Sequence, residues 1–115
     1  MMDYANVYLL GRAVNDAKIF ISEDQPTRAI FDLATNIPIR RDGKCASKPL
    51  FHRIIVWGYH ADYVDNCQKI DGLKGRLINI VGNIDIEQSS GRQIIRVGNP
   101  NGQITVMDRR NNDDL

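Results

Sequence analysis

The stretch that decides the fold is Phe51-His52-Arg53-Ile54-Ile55-Val56-Trp57-Gly58. Its aromatic and β-branched content predicts a strand. Because side chains alternate along a strand, Phe51, Arg53 and Trp57 fall on one face. The other face is apolar apart from His52, so it is expected to pack against a core.

Two aromatic rings with a cation between them fit a single-stranded nucleic acid. Bases stack on the rings, and the guanidinium meets a phosphate or lies flat on a base. The alternative is that Phe51 and Trp57 are core residues and that Arg53 extends along them to solvent. This stretch alone leaves both interpretations open.

The length and composition of the chain indicate one globular domain. The chain has 115 residues, of which 43% are hydrophobic and 25% are charged, as is ordinary for a soluble protein with its own core. No apolar run approaches the roughly 20 residues of a membrane helix, and the first four residues do not resemble a signal peptide. The net charge of +1 means that cations for nucleic acid must be clustered locally.

Nothing in the sequence predicts catalysis or a cofactor. Cys45 and Cys67 have no CxxC spacing, which indicates reduced thiols and a cytoplasmic location. His52 and His60 are eight residues apart, on a predicted strand and a predicted helix, which is a poor zinc pattern. Since no Gly-rich phosphate loop, nucleophile elbow or HExxH motif occurs, we expect no enzyme, no metal and no cofactor.

Apolar alternation predicts an all-β chain with a single helix. Helical spacing covers 59 to about 70 and ends at Asp71-Gly72. Phe31 and Leu33 are expected in the core, and Gly11 and Gly82 fit bent strands. The order predicts a five-stranded OB-fold barrel with one short helix between strands 3 and 4. Long strands are predicted at 4–14, 28–36, 50–57, 77–86 and 93–97, with short ones at 18–21 and 104–107, and Ile78, Ile80, Ile84 and Ile86 share one face of the fourth long strand.

Residues 37–49 are predicted to form a basic loop, because Pro38 and Pro49 disfavour a central strand. Such a loop beside an aromatic strand could clamp a phosphodiester backbone, although charged loop tips are also routine. Its cations are Arg40, Arg41, Lys44 and Lys48, and its single acid is Asp42.

Four segments, in order, resemble the bacterial-type single-stranded DNA-binding protein (SSB) family over roughly residues 4–108. They are Asn6-Val7-Tyr8-Leu9-Leu10-Gly11-Arg12, Phe31-Asp32-Leu33-Ala34-Thr35-Asn36, Phe51 to Gly58, and Lys74-Gly75-Arg76 continuing to Val81-Gly82-Asn83-Ile84.

The resemblance implies an OB-fold domain over 1–108 that binds single-stranded DNA with little sequence preference during replication, recombination or repair. It also implies a homotetramer, or a dimer, and no membrane partner. The implied DNA-binding residues are Phe51, Trp57, Arg53, Arg76, Arg40, Arg41, Lys44 and Lys48, with Tyr59 as a substitute platform; the implied subunit contacts are Asn6, Tyr8 and His52.

The sequence departs from the family pattern in two respects. Ile39 and Ser89 stand where relatives carry stacking tryptophans, so weaker binding or a smaller site is expected. The polar tail, 109–115, lacks the long linker with which typical members recruit replication proteins, although Asp113-Asp114-Leu115 faintly resembles its tip. An organelle, phage or plasmid origin would fit the same pattern. The alternative functions are a protein-interaction adaptor with weak nucleic-acid binding, and RNA binding.

Overall fold

Five strands close into a ring in the computed structural model, which describes residues 5–98 and 101–107. The elements are β1 (Asn6–Ala13), β2 (Lys18–Phe20), β3 (Arg28–Arg41), β4 (Lys44–Trp57), α1 (Tyr59–Asp71), β5 (Leu77–Ile86), β6 (Gln93–Val97) and β7 (Gln103–Val106). β1 pairs with both β3 and β5, β3 pairs with β4, and β6 lies between β4 and β5. The β4–β6 pair is parallel, whereas the other pairs in the ring are antiparallel.

This arrangement confirms the predicted all-β OB-fold with one helix between the third and fourth long strands. The short strands β2 and β7 join the ring as extra partners of β3 and β5. Helix α1 ends within one residue of its predicted end. Within the part of the chain that the structure describes, no helix is long and apolar enough to span a bilayer.

The core occupies the inside of the ring. Phe31 and Leu33 of β3 are buried as predicted, and Ile54 and Val56 of β4 meet them there. Helix α1 adds Val64 and its neighbours. The even-numbered face of β4 is therefore its core face, which turns the odd-numbered face outward.

The predicted isoleucine face of β5 is buried only in its first half. Ile78 and Ile80 are fully buried, but Ile84 is 40% exposed and Ile86 is 60% exposed. The described register between β5 and β1 ends at Asn83. Beyond that residue, β5 pairs only with β6 among the described strands. The alternation of isoleucines therefore continues along β5 past the end of the buried core.

The predicted loop at 37–49 is wrong. β3 and β4 stay paired from Arg28↔Trp57 to Arg41↔Lys44, and Asp42 and Gly43 turn the chain with φ of 53° and 75°. Positive φ at both turn residues is typical of a two-residue Asp-Gly hairpin. Residues 36–50 thus form a two-stranded extension, the β3–β4 ribbon. Its prolines are tolerated because no third strand among the described residues pairs with β3 or β4 there.

Close backbone approach explains the glycine at the bend of β1. A Cβ on Gly11 would lie 2.3 Å from the carbonyl oxygen of Ala34, where β1 passes from β5 to β3. Only glycine allows the strands to approach this closely. The predicted glycine at the bend is therefore confirmed, and it helps to close the ring.

Candidate nucleic-acid interface

The outward face of β4 carries the aromatic residues that the sequence singled out. Phe51 is 67% exposed, which rules out the core interpretation for that ring. Trp57 is half-buried, and its indole Nε1 is buried without a hydrogen-bond partner among the described residues. Arg53 lies between them with half of its side chain exposed.

Carboxylates accompany two of the arginines on this surface. Asp32 faces Arg53 across the β3–β4 pair, and the Nε of Arg53 lies 3.4 Å from Oδ1 of Asp32. On β6, the Nε of Arg96 lies 2.8 Å from Oδ2 of Asp85. Such solvent-exposed pairs contribute about 0–1 kcal/mol, so an incoming phosphate can replace the carboxylate at a small free-energy cost.

Four concavities with shared lining residues form one continuous groove on this side of the ring. The first, about 280 Å³, is lined by Phe51, Arg53 and Arg92 among others. The second, about 310 Å³, shares Arg53 and adds Phe20. The third, about 240 Å³, shares Phe20 and adds Trp57, and the fourth, about 460 Å³, shares Trp57. We refer to the surface that these residues line as the groove.

A row of three side chains crosses the groove between its second and fourth concavities. The register pairs Phe20 of β2 with Arg28 of β3, and Arg28 with Trp57 of β4. The guanidinium carbon of Arg28 lies 4.8 Å from the centre of the Phe20 ring and 5.5 Å from that of Trp57. The sequence analysis missed Phe20 and Arg28, because alternation within one strand says nothing about register between strands.

The ribbon carries its four cations at exposed positions. Since the register is continuous, Arg40 shares the face of Phe51. Arg41, Lys44 and Lys48 fall on the opposite face by the same alternation. With four cations against the single carboxylate of Asp42, the ribbon carries a net positive charge.

Arg76 lies away from this surface, so the prediction of an accessible cation there is wrong. The side chain is only 7% exposed. Its Nε donates to the carbonyl of Met107 at 3.0 Å, and its Nη1 donates to the carbonyl of Cys67 at 3.1 Å. Arg76 therefore has a structural role, because it donates hydrogen bonds to backbone carbonyls near the ends of α1 and β7.

Tyr59 is exposed at the first residue of α1 but lines none of the four concavities. Its ring packs 4.1 Å from that of His60. The structure therefore does not bring Tyr59 into the groove with Phe51.

The predicted subunit contacts fall on two separate strands. Asn6 and Tyr8 lie on the outer face of β1, where Tyr8 is 75% exposed and Leu10 is also exposed. His52 lies on β4, which does not pair with β1, and its Nε2 is hydrogen-bonded to Oγ1 of Thr35 at 2.8 Å. Burial lowers the pKa of His52, so the ring stays neutral at physiological pH.

The cysteines and acids do not gather into a metal site. Across residues 5–98 and 101–107, no group of three or more His, Cys, Asp or Glu side chains could hold a metal ion. Cys45 is free and exposed on the ribbon, and Cys67 is free and half-buried on α1.

Comparisons with known proteins give a family-model match and a similar solved structure. The model of the Single-strand binding protein family matches residues 4–100. Among solved structures, the chain resembles that described as the Plasmodium falciparum SSB complex with ssDNA, with 27% identity and a TM-score of 0.73. The similarity covers 94% of this chain and 98% of that one. No curated protein matches the chain significantly by sequence.

Proposed function

Because the chain belongs to the single-strand binding protein family, we propose that it binds single-stranded DNA with little sequence preference. The observation that carries this proposal is the exposed ring of Phe51 beside Arg53 in a continuous groove. An aromatic platform next to a cation is what an unpaired strand requires, since every base has a face to stack.

Binding proceeds by exchange of partners. Bases leave one another and stack on Phe51 and on the accessible part of Trp57. The guanidinium groups of Arg53 and Arg96 pass from their carboxylates to phosphates, releasing counterions from the strand. Because stacking does not read base edges, the expected sequence preference is small. We propose Arg40, which shares the face of Phe51, as a further phosphate contact. Arg41, Lys44 and Lys48 lie on the opposite face of the ribbon and would bind phosphates only if the strand also wraps around that face.

We extend the proposal to assembly and setting. The exposed apolar side chains of Tyr8 and Leu10 support a homo-oligomer, a tetramer or a dimer, that associates through β1. An oligomer that binds one DNA strand through several subunits would hold that strand with higher avidity than a single subunit does. In this form the protein would protect single strands during replication, recombination or repair in the cytoplasm.

Trp57 provides the direct test of strand binding. It is the only tryptophan in the chain, so its fluorescence has a single source. Titration with poly(dT) should quench that fluorescence strongly at low salt and less at high salt, and the protein should retard a labelled oligonucleotide. If fluorescence and oligonucleotide mobility both stay unchanged, the proposal is wrong, and a protein-interaction adaptor becomes the better hypothesis.

A further inference from the structure

One face of the adjacent strands β2, β3 and β4 carries a row of three side chains, Phe20, Arg28 and Trp57, which we call the β2–β4 row. The row extends across the sheet beyond β4, the strand that carries Phe51 and Trp57. The pairs Phe20↔Arg28 and Arg28↔Trp57 are direct register partners. Neighbouring strands lie about 4.8 Å apart, so the two rings flank the side chain of Arg28. The row is therefore set by the sheet and does not depend on a loop.

Arg28 differs from Arg53 and Arg96 in what balances its charge. Arg53 and Arg96 each face a carboxylate. Among the described residues no carboxylate pairs with Arg28, and its guanidinium instead contacts the two rings. An aromatic face attracts a cation without neutralising it. The full positive charge of Arg28 thus remains available to an anion.

Phe20 separates two openings of the groove. It is 44% exposed and lines both the concavity that contains Arg53 and the one that contains Trp57. Lys18, two residues earlier on β2, lines the first of these. A strand leaving Phe51 and Arg53 toward Trp57 would therefore pass over the Phe20 ring, with cations on either side.

We propose that the β2–β4 row is an additional nucleotide subsite, in which a base stacks on Phe20 and the adjoining phosphate binds Arg28. This inference rests on the proposed strand-binding function and lengthens its footprint across β2. The guanidinium is planar and stacks on rings as a base does, so Arg28 covers the ring faces in the free protein. On binding, it turns from the rings to the phosphate.

The test uses fluorescein-labelled oligothymidylates of increasing length, from about 4 to about 16 nucleotides, the range of site sizes reported for OB folds. Phe20→Ala should weaken binding of the longest strands about five-fold or more, the low end of the stacking range. It should leave the shortest strands that bind Phe51 and Arg53 unaffected. Ile70→Ala on α1, another exposed apolar truncation, should change neither.

Two further variants separate stacking from packing. Phe20→Tyr keeps an aromatic face and should bind as the wild type does, whereas Phe20→Leu keeps apolar bulk and should lose nearly as much affinity as Phe20→Ala. If Phe20→Leu binds like the wild type, the residue supports the sheet and the subsite is refuted. Thermal unfolding of each variant shows whether the fold is intact.

The charge of Arg28 has its own readout. For single strands the magnitude of the slope of log affinity against log salt is larger by about 0.7 for each phosphate contact. Arg28→Gln should reduce the slope by about that amount, while Arg28→Lys should retain it. An unchanged slope in Arg28→Gln would remove the phosphate role.

The subsite and the general function fail in different ways. If the wild type binds no oligothymidylate, the strand-binding proposal itself is wrong. If the wild type binds and Phe51→Ala weakens binding at every length, but Phe20→Ala weakens none, strand binding stands and the subsite does not.

Discussion

At the scale of single residues, Phe51 separates binding from folding. Its ring is largely exposed, so truncation removes a stacking platform and little buried area. We expect Phe51→Ala to weaken binding of oligothymidylate by about 1–3 kcal/mol, roughly 5- to 150-fold, with the melting temperature nearly unchanged. Fluorescence anisotropy and calorimetry measure the two quantities. A lower melting temperature with unchanged affinity would return Phe51 to a structural role.

Asp32 sets how much of the charge of Arg53 is available to DNA. Its carboxylate lies beside that guanidinium and repels phosphates in the same concavity. Asp32→Asn should therefore strengthen binding by at most about five-fold at low salt, in line with the roughly 0.2–1 kcal/mol of an exposed pair. The matched control is Asp65→Asn, which breaks the Asp65–Lys69 pair on α1. Weaker binding by Asp32→Asn would show that the pair positions Arg53 for the strand.

His60 predicts a dependence of stability on pH. It is buried in the first turn of α1, and burial lowers its pKa from the ordinary 6.5. The unfolded chain therefore binds the proton more readily, so the stabilisation is complete above 6.5 and is lost as the pH falls from there through the folded-state pKa. Urea unfolding at about pH 7.5 and about pH 5.5 should show the loss. His52 contributes with the same sign.

The variant His60→Leu isolates one of the two histidines. Because Nε2 of His60 is buried without a hydrogen-bond partner among the described residues, its removal leaves no polar group stranded. The free energy of unfolding should then change less between the two pH values than in the wild type. An identical change in both proteins would contradict the assignment.

At the scale of elements, the β3–β4 ribbon tests which face the strand follows. Arg40 and Arg41 are adjacent, but only Arg40 shares the face of Phe51. Arg40→Gln should make the slope of log affinity against log salt shallower by about 0.7. Arg41→Gln, its matched control, should leave that slope unchanged. Equal effects from both variants would mean that the strand contacts both faces of the ribbon.

The ribbon also shows what local patterns can and cannot predict. The alternation of Phe31, Leu33, Ile54 and Val56 correctly predicted which face packs inside. Prolines and cations at 37–49 suggested a loop, since such residues are rare in central strands, but a strand with one partner tolerates them. Alternation also put Ile84 and Ile86 on the same face as the buried Ile78 and Ile80, although no pattern within β5 marks where the ring ends.

The candidate surface was predictable in part for the same reason. Phe51, Arg53 and Trp57 lie on one strand, so period-two alternation places them together. Phe20 and Arg28 join them only through register between three strands, which local sequence does not encode. Arg76 looked like a surface cation because arginine usually is one, and the helix end that it satisfies is a tertiary feature.

At the scale of the whole molecule, the resemblance of four ordered segments predicted the family correctly, whereas assembly remains a proposal. If copies associate through β1, the double substitution Tyr8→Ala and Leu10→Ala should lower the mass measured by light scattering after size exclusion. Removing these apolar side chains takes away buried contact area. Ile70→Ala serves as the control for an exposed apolar residue elsewhere. A wild-type monomer, or an unchanged mass in the double variant, would contradict association through β1.

The pairing of β1 with β5 joins the first strand of the chain to one that follows three further strands and the helix, from Asn6↔Asn83 to Arg12↔Leu77. Contacts so distant in sequence slow folding, because the intervening chain must first be brought to order. On a ribosome that adds about 5–20 residues per second, β1 emerges several seconds before its partner exists. During that interval the apolar side chains of Val7 and Leu9, which later pack against the core, are exposed and can contact other polypeptide chains. The nascent protein is therefore most prone to aggregation just before its ring can close.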